Sequence, residues 1–203
     1  YPIGGTPSNS PLGRPLLGII LAIGHSAHDT YHMLHANGVA LTTKGFAMGV
    51  RAEHPQALIN KLMYHDPSPE LIRLVGNASY SLVTQVQGRG VYSFCMCPGG
   101  HIVPAGSALN SCVVNGMSAS HRNSPFANSG MVVEIRPEDL EPTPIPSLKG
   151  KEFAKELQGL AFQQYLEQLA YEHGGEPSLA PAQRLRDFVE SKASKTLPAC
   201  SYL

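Results

Sequence analysis

Residues 90–105 read GVYSFCMCPGGHIVPA. Two β-prone runs, GVYSFCMC and HIVPA, flank a Pro-Gly-Gly turn, and the surrounding chain repeats the pattern. From Ser79 to Arg136 the runs SYSLVTQV, GVYSFCMC, HIVPA, SCVVNGMS and GMVVEIRP are separated by Gly, Pro, Asn and Ser. Short runs with turn residues between them predict a compact antiparallel or barrel-like sheet.

Helical and α/β signals flank this region. Upstream, LLGIILAIG (Leu16–Gly24) is a continuous apolar run without alternation, as in a strand buried on both faces. GHSAHDTYHMLHANG follows, with Ser26 as N-cap, Asp29 three residues later and Gly38 as the stop, so the segment predicts strand, tight turn and helix. KGFAMGVRAEH (Lys44–His54) predicts a further strand, and PQALINKLMY a short helix with Pro55 at its first position. Downstream, the proline-rich RPEDLEPTPIPSLKG reads as a connection. KEFAKELQGLAFQQYLEQLAYEHGG then carries a helical stripe through Phe153, Leu157, Leu160, Ala161, Leu166, Leu169 and Ala170, ending at Gly174-Gly175. A last helix is expected over APAQRLRDFVESK. The first fifteen residues, with four prolines and three glycines, are expected to be loop.

The totals narrow the function classes. A chain of 203 residues, 42% hydrophobic, can build its own core as one large domain or two small ones. Fifteen basic residues balance fifteen acidic ones, which argues against nucleic acid or an anionic membrane as a partner. No run approaches the roughly 18 to 20 apolar residues of a membrane span. Cys95, Cys97, Cys112 and Cys200 are irregularly spaced, unlike a secreted disulfide framework, so a reducing, cytoplasmic compartment is expected. The chain starts at Tyr1 and ends KTLPACSYL; both ends read as cut, which predicts a piece of a longer protein.

Three stretches carry the candidate chemistry. The turn in LAIGHSAHDT offers backbone N–H groups at a helix N-terminus, where a phosphate or a cofactor edge can sit; any α/β protein has several such turns. In CMCPGGH, two cysteines one residue apart lack the two-to-four-residue spacing and second knuckle of structural zinc sites. Strand alternation puts Cys95 and Cys97 on one face, in a geometry that disfavours a disulfide. The Pro98-Gly99-Gly100 turn suits a backbone that must come close to something. VVNGMSASHRNSPFANSG is a polar loop between two β-runs; it reads either as a binding loop or as a solvated hairpin with asparagines at turn positions. His28, His32 and His35 fall on one helix face without a carboxylate cluster. G-x-S-x-G, H-E-x-x-H, P-loop and G-x-G-x-x-G patterns are all absent from the sequence.

Read in order, AIGHSAHDTYHMLHANGV, KGFAMGVRAEHPQALIN, RGVYSFCMCPGGHIV, VVNGMSASHRNSPFANSGMVV and GLAFQQYLEQLAYEHGG resemble a family of FAD-dependent dehydrogenases. These are large flavoproteins of the two-dinucleotide-binding-domain type, and the resemblance runs from about Leu16 to the C-terminus. It implies that a large insert interrupts the FAD-binding α/β domain and shapes the substrate site. It also implies an α+β fold: a β-rich barrel-like or antiparallel core with flanking helices, plus an N-terminal strand-turn-helix remnant of the FAD domain. The expected divisions are residues 1–43 for that remnant, 44–140 for the β-rich insert, and 141–203 for the proline-rich linker and helices.

Carried over by resemblance, Gly24, His25, Ser26 and Asp29 lie near the flavin. Pro98, Gly99 and Gly100 face the cofactor, with Cys95 and Cys97 as candidate catalytic thiols. Asn115, Gly116, Ser118, Arg122 and Asn128 form the substrate side. The residue after that loop's arginine is acidic in many relatives and is Asn123 here. The resemblance implies FAD in the full-length parent, and a small-molecule substrate and the rest of the FAD domain as partners. With the fingerprint glycines missing, this chain alone is expected to be catalytically incomplete. The competing readings are a stand-alone metal-binding module built on CMCPGGH and a protein-interaction module.

Overall fold

A computed structural model of the chain describes residues 19–106, 108–140, 154–174 and 179–202. They form two compact units, divided after Val39. In chain order the elements are α1 (His28–Ala36), β1 (Phe46–Pro55), α2 (Gln56–Tyr64), α3 (Pro69–Val75), β2 (Val83–Val86) and β3 (Arg89–Cys97). They continue with β4 (Gly100–Pro104), β5 (Val114–Ser118), β6 (Phe126–Ile135), α4 (Pro137–Leu140), α5 (Gln158–Gly174) and α6 (Leu185–Val189). The fold is α+β, and its sheet is open rather than closed into a barrel.

In the first unit the expected turn and helix are present. Gly24 turns at φ +72°, and Tyr31 Oη donates to its carbonyl at 3.4 Å. The residue at the N-cap is Ala27 rather than Ser26, and no side chain caps the helix. His28 N–H already bonds the Ser26 carbonyl, which leaves the Ser26 hydroxyl one residue too early, 3.3 Å from His25 Nε2. Asp29 sits in the first turn, where the helix dipole favours an anion. Residues 19–24 are not paired in a sheet among the described residues, and Ile19 and Ile20 are 81% and 95% exposed. A strand exists only against a ladder partner; Leu16–Gly18 lie outside the described residues.

The second unit is built on a four-stranded antiparallel sheet in the order β1-β6-β3-β2. β1 and β6 pair along their whole length, from Phe46 opposite Ile135 to Pro55 opposite Phe126. β2 and β3 join through Gln87-Gly88, both at positive φ (51° and 74°), the conformation a two-residue hairpin turn demands. β4 and β5 form a separate two-stranded sheet. Ile59 from α2, Ala78 and Ala127 make a buried cluster, with Tyr64, Tyr80 and Met96 packed on it. At the far end Leu140, Leu157 and Ala161 are buried, and the Phe46 and Phe162 rings meet at 6.4 Å.

Several local expectations shift. α3 was not foreseen: the Ser68 hydroxyl accepts from Leu71 N–H at 3.2 Å, and Pro69 stands in the first turn. The long C-terminal helix starts as a 3₁₀ turn (Lys155–Leu157) before α5; Phe153 and Gly175 of its expected stripe and stop lie outside the described residues. So do residues 141–150 of the proline-rich connection. The last helix shrinks to α6 because Asp187 turns back to bond Arg184 Nε and Ser194 Oγ, each at 2.6 Å. Among the described residues no helix is long and apolar enough to cross a membrane.

One ion pair ties the sheet to α4. Arg89 grips Asp139 through both guanidinium nitrogens at 2.5 Å, and Arg136 N–H donates to the same carboxylate at 2.8 Å. These bonds, with Arg89 first, hold the Asp139 carboxyl down at about 2, below its usual 3.8. The stability it contributes is complete above the unfolded value and is lost as pH falls through the folded one. Asp139→Asn should therefore lower the unfolding midpoint at pH 7, with a deficit relative to wild type that closes between about pH 4 and pH 2. Thermal unfolding of both proteins across that range measures it; a deficit independent of pH would contradict it.

Candidate functional site

The site is built where β3 breaks step with β6. Phe94 faces Gly130, but the next pair is Cys97 with Asn128, so three steps along β3 match two along β6. The extra residue is a β-bulge, and Cys95 within it takes a positive φ of 45°. The bulge corrects the expectation that Cys95 and Cys97 share a face, because an inserted residue cancels strand alternation. Cys95 is exposed and Cys97 half-buried; both are free thiols, and the Cys97 thiol donates to the Cys95 carbonyl at 3.4 Å. At Cys112, burial and then the Glu167 carboxylate push the thiol up.

The bulge turns the Cys95 carbonyl to Arg51 of β1, whose Nη1 donates to it at 3.3 Å. The same nitrogen donates to Asn128 Oδ1 at 2.6 Å, and Nη2 donates to Asn115 Oδ1 at 3.3 Å. Gly116 makes this approach possible: a Cβ there would stand 2.2 Å from both Arg51 Nη1 and Asn128 Oδ1. Three of the five expected substrate-side residues, Asn115, Gly116 and Asn128, thus meet around an arginine that the sequence reading passed over. Its one signal was a charge in the middle of the apolar run FAMGVRAE. Glu53, two residues along the strand, accepts from Ser201 N–H at 2.9 Å and from the Ser201 hydroxyl, which in turn accepts from Ile102 N–H at 2.8 Å.

Pro98, Gly99 and Gly100 are buried against the chain's own loop. Gly99, at φ +53°, lies so close to the Arg122 carbonyl that a Cβ would fall 1.8 Å from that oxygen. Ser118 Oγ donates to the Pro98 carbonyl at 2.9 Å, and Ser124 N–H to the Gly99 carbonyl at 3.2 Å. Gly99 N–H donates to Oε1 of the buried Gln56 at 2.7 Å. Arg122 itself is exposed at φ +48°, its carbonyl accepting from Asn77 Nδ2 at 2.7 Å. Gly24, His25, Ser26 and Asp29 belong to the first unit, described above.

The opposite face of β1 and β6 carries a second polar chain. His54 Nε2 lies 3.0 Å from Tyr80 Oη, which lies 2.6 Å from Oγ of the fully buried Ser129. Burial lowers the His54 pKa, and the Glu53 carboxylate opposes it in part. Among the described residues no group of three or more His, Cys, Asp or Glu side chains is placed to hold a metal ion.

A family described as FAD-dependent protein, C-terminal domain-like, matches residues 45–203, all of them in the second unit. An uncharacterized protein of Clostridium beijerinckii (strain ATCC 51743 / NCIMB 8052) is 43% identical over 183 residues. The aligned region covers 88% of this chain and 32% of that protein, so the chain spans about a third of the relative's length.

Glycine substitutions separate the packed turn from an ordinary one. Gly88→Ala meets nothing within 4 Å and should cost about 1 kcal/mol for its left-handed backbone. Gly99→Ala adds a backbone collision and should cost about 2–4 kcal/mol. Urea denaturation of the two variants measures the difference, and equal losses would contradict the packing described.

Proposed function

The chain belongs to the C-terminal-domain-like family of FAD-dependent proteins, and from there we propose that it is the inserted, substrate-side part of an FAD-dependent dehydrogenase. The observation that carries this reading is the family match over residues 45–203, the unit that also builds the Arg51–Asn128 cluster. A small-molecule substrate takes its orientation from that cluster, with Arg51 and Asn128 as donors. The exposed thiol of Cys95, in the bulge that feeds the cluster, and its neighbour Cys97 remain the candidate catalytic groups. Four free thiols go with a reducing, cytoplasmic setting.

In this reading the first unit contributes one edge of a flavin cradle. Gly24, His25 and Ser26 form an exposed turn, a Cβ on Gly24 would meet nothing within 4 Å, and Asp29 opens the helix that follows. Pro98, Gly99 and Gly100 close on the chain's own loop, so in this reading they support the substrate side from beneath. The sequence lacks the G-x-G-x-x-G that grips a dinucleotide's pyrophosphate. The remainder of the FAD-binding domain supplies that grip as this chain's partner. Bound FAD supplies the hydride acceptor, and the contribution of this chain is to bind and orient the substrate.

The chain mixed with FAD and desalted should retain no more than a trace of flavin absorbance, whereas a chain extended to the relative's length should keep it in stoichiometric amount. Stoichiometric flavin on the short chain would overturn its incompleteness. No flavin on the extended one would overturn the dehydrogenase reading.

A further inference from the structure

The Arg51 cluster is unfinished in a specific way. Asn128 is fully buried at 0% exposure, and its Nδ2 amide has no acceptor among the described residues. The assignment of that amide is chemically forced: a guanidinium has only donors, so the atom 2.6 Å from Arg51 Nη1 must be the oxygen Oδ1. A buried donor left unpaired costs about 1–3 kcal/mol, a cost the fold carries for something that completes it.

Arg51, bonded to that amide, is incomplete as well. Its bonds use Nη1 twice and Nη2 once, all to neutral oxygens: the Cys95 carbonyl and the Asn128 and Asn115 amides. Nε and one Nη2 hydrogen donate to nothing among the described residues, and a carboxylate accepts from guanidinium N–H groups of this kind. The nearest acid on the strand face, Glu53, bonds Ser201 instead. Asn115 and Cys95 are exposed, so the half-buried arginine opens to solvent past them.

We propose that Arg51 and Asn128 form a carboxylate-binding subsite, in which the unused Nε and Nη2 hydrogens of Arg51 and the unpaired Nδ2 of Asn128 donate to the carboxylate. This deepens the substrate-side reading and rests on it for the word substrate: the molecule that the parent oxidises carries a carboxylate. Asn115 holds the guanidinium in plane, and Gly116 keeps the space beside Nη1 clear.

The test needs no flavin. Acetate is titrated into the ¹⁵N-labelled chain while the Asn128 side-chain amide and Arg51 Nε–H resonances are followed, with acetamide as the neutral isostere. Acetate should move both saturably, with a dissociation constant on the order of millimolar, and acetamide should not. Arg51→Lys, which keeps the charge but loses the planar set of donors, should weaken binding about tenfold or more. Asn128→Asp, which supplies a carboxylate from within, should fold and no longer respond. The proposal is overturned if the two resonances do not move up to about 50 mM acetate, tens of times that constant. Equal shifts with acetamide, or equal affinity in Arg51→Lys, would also overturn it. Flavin retention by the longer protein is read separately, so either claim can fail while the other stands.

Discussion

The second unit depends on one buried amide, that of Gln56. At 3% exposure it opens α2, and four groups converge on it. Its backbone N–H donates to the Pro125 carbonyl at 2.7 Å, and its Nε2 donates to Asn60 Oδ1 at 2.9 Å and to the Ala78 carbonyl at 3.0 Å. Its Oε1 receives the Gly99 amide. The β1–α2 junction, the segment between α3 and β2, the loop before β6 and the Pro98–Gly100 turn are thereby fixed to one another. Truncating Gln56 would leave Gly99 N–H and the Ala78 carbonyl buried without partners, at about 1–3 kcal/mol each, a larger loss than that of an ordinary core side chain's polar contact.

From that anchor the geometry of the site follows. With Gly99 held against Arg122, β3 must enter the turn at a fixed height, and the bulge at Cys95 absorbs the one-residue mismatch with β6. β6 then serves opposite sides with consecutive residues, as strand alternation requires: Asn128 turns to Arg51, and Ser129 to Tyr80 and His54. One side is a closed polar relay in the core. The other presents a cation among neutral acceptors, with donors still to be used, and it is the side that the proposed function assigns to substrate.

Much of this was legible in the residues. The runs from Ser79 to Arg136 became β2 to β6 because each is β-prone and bounded by turn formers, whereas Pro55, expected as the first helical residue, closes β1 and stands at the N-cap of α2. The resemblance pointed to the FAD-dependent family to which the chain belongs. What escaped was non-local. Nothing near Cys95 announces a bulge, since it arises from the register set by Gly99 and β6. Arg51 lies far in sequence from Asn115 and Asn128, and Ser201 from Glu53, so only the folded sheet brings them together. The Pro-Gly-Gly turn suits a close approach, and among the described residues the group that approaches Gly99 is the Arg122 carbonyl.

The most direct measurement is native-state hydrogen exchange at the Gly99 amide. If Gln56 anchors the turn, this proton should exchange as slowly as the central β6 amides of Ser129 and Met131, opening only with the whole unit. Exchange at the rate of an exposed loop such as His121–Asn123 would show that the turn moves independently, and the account of the site built upon it would fail.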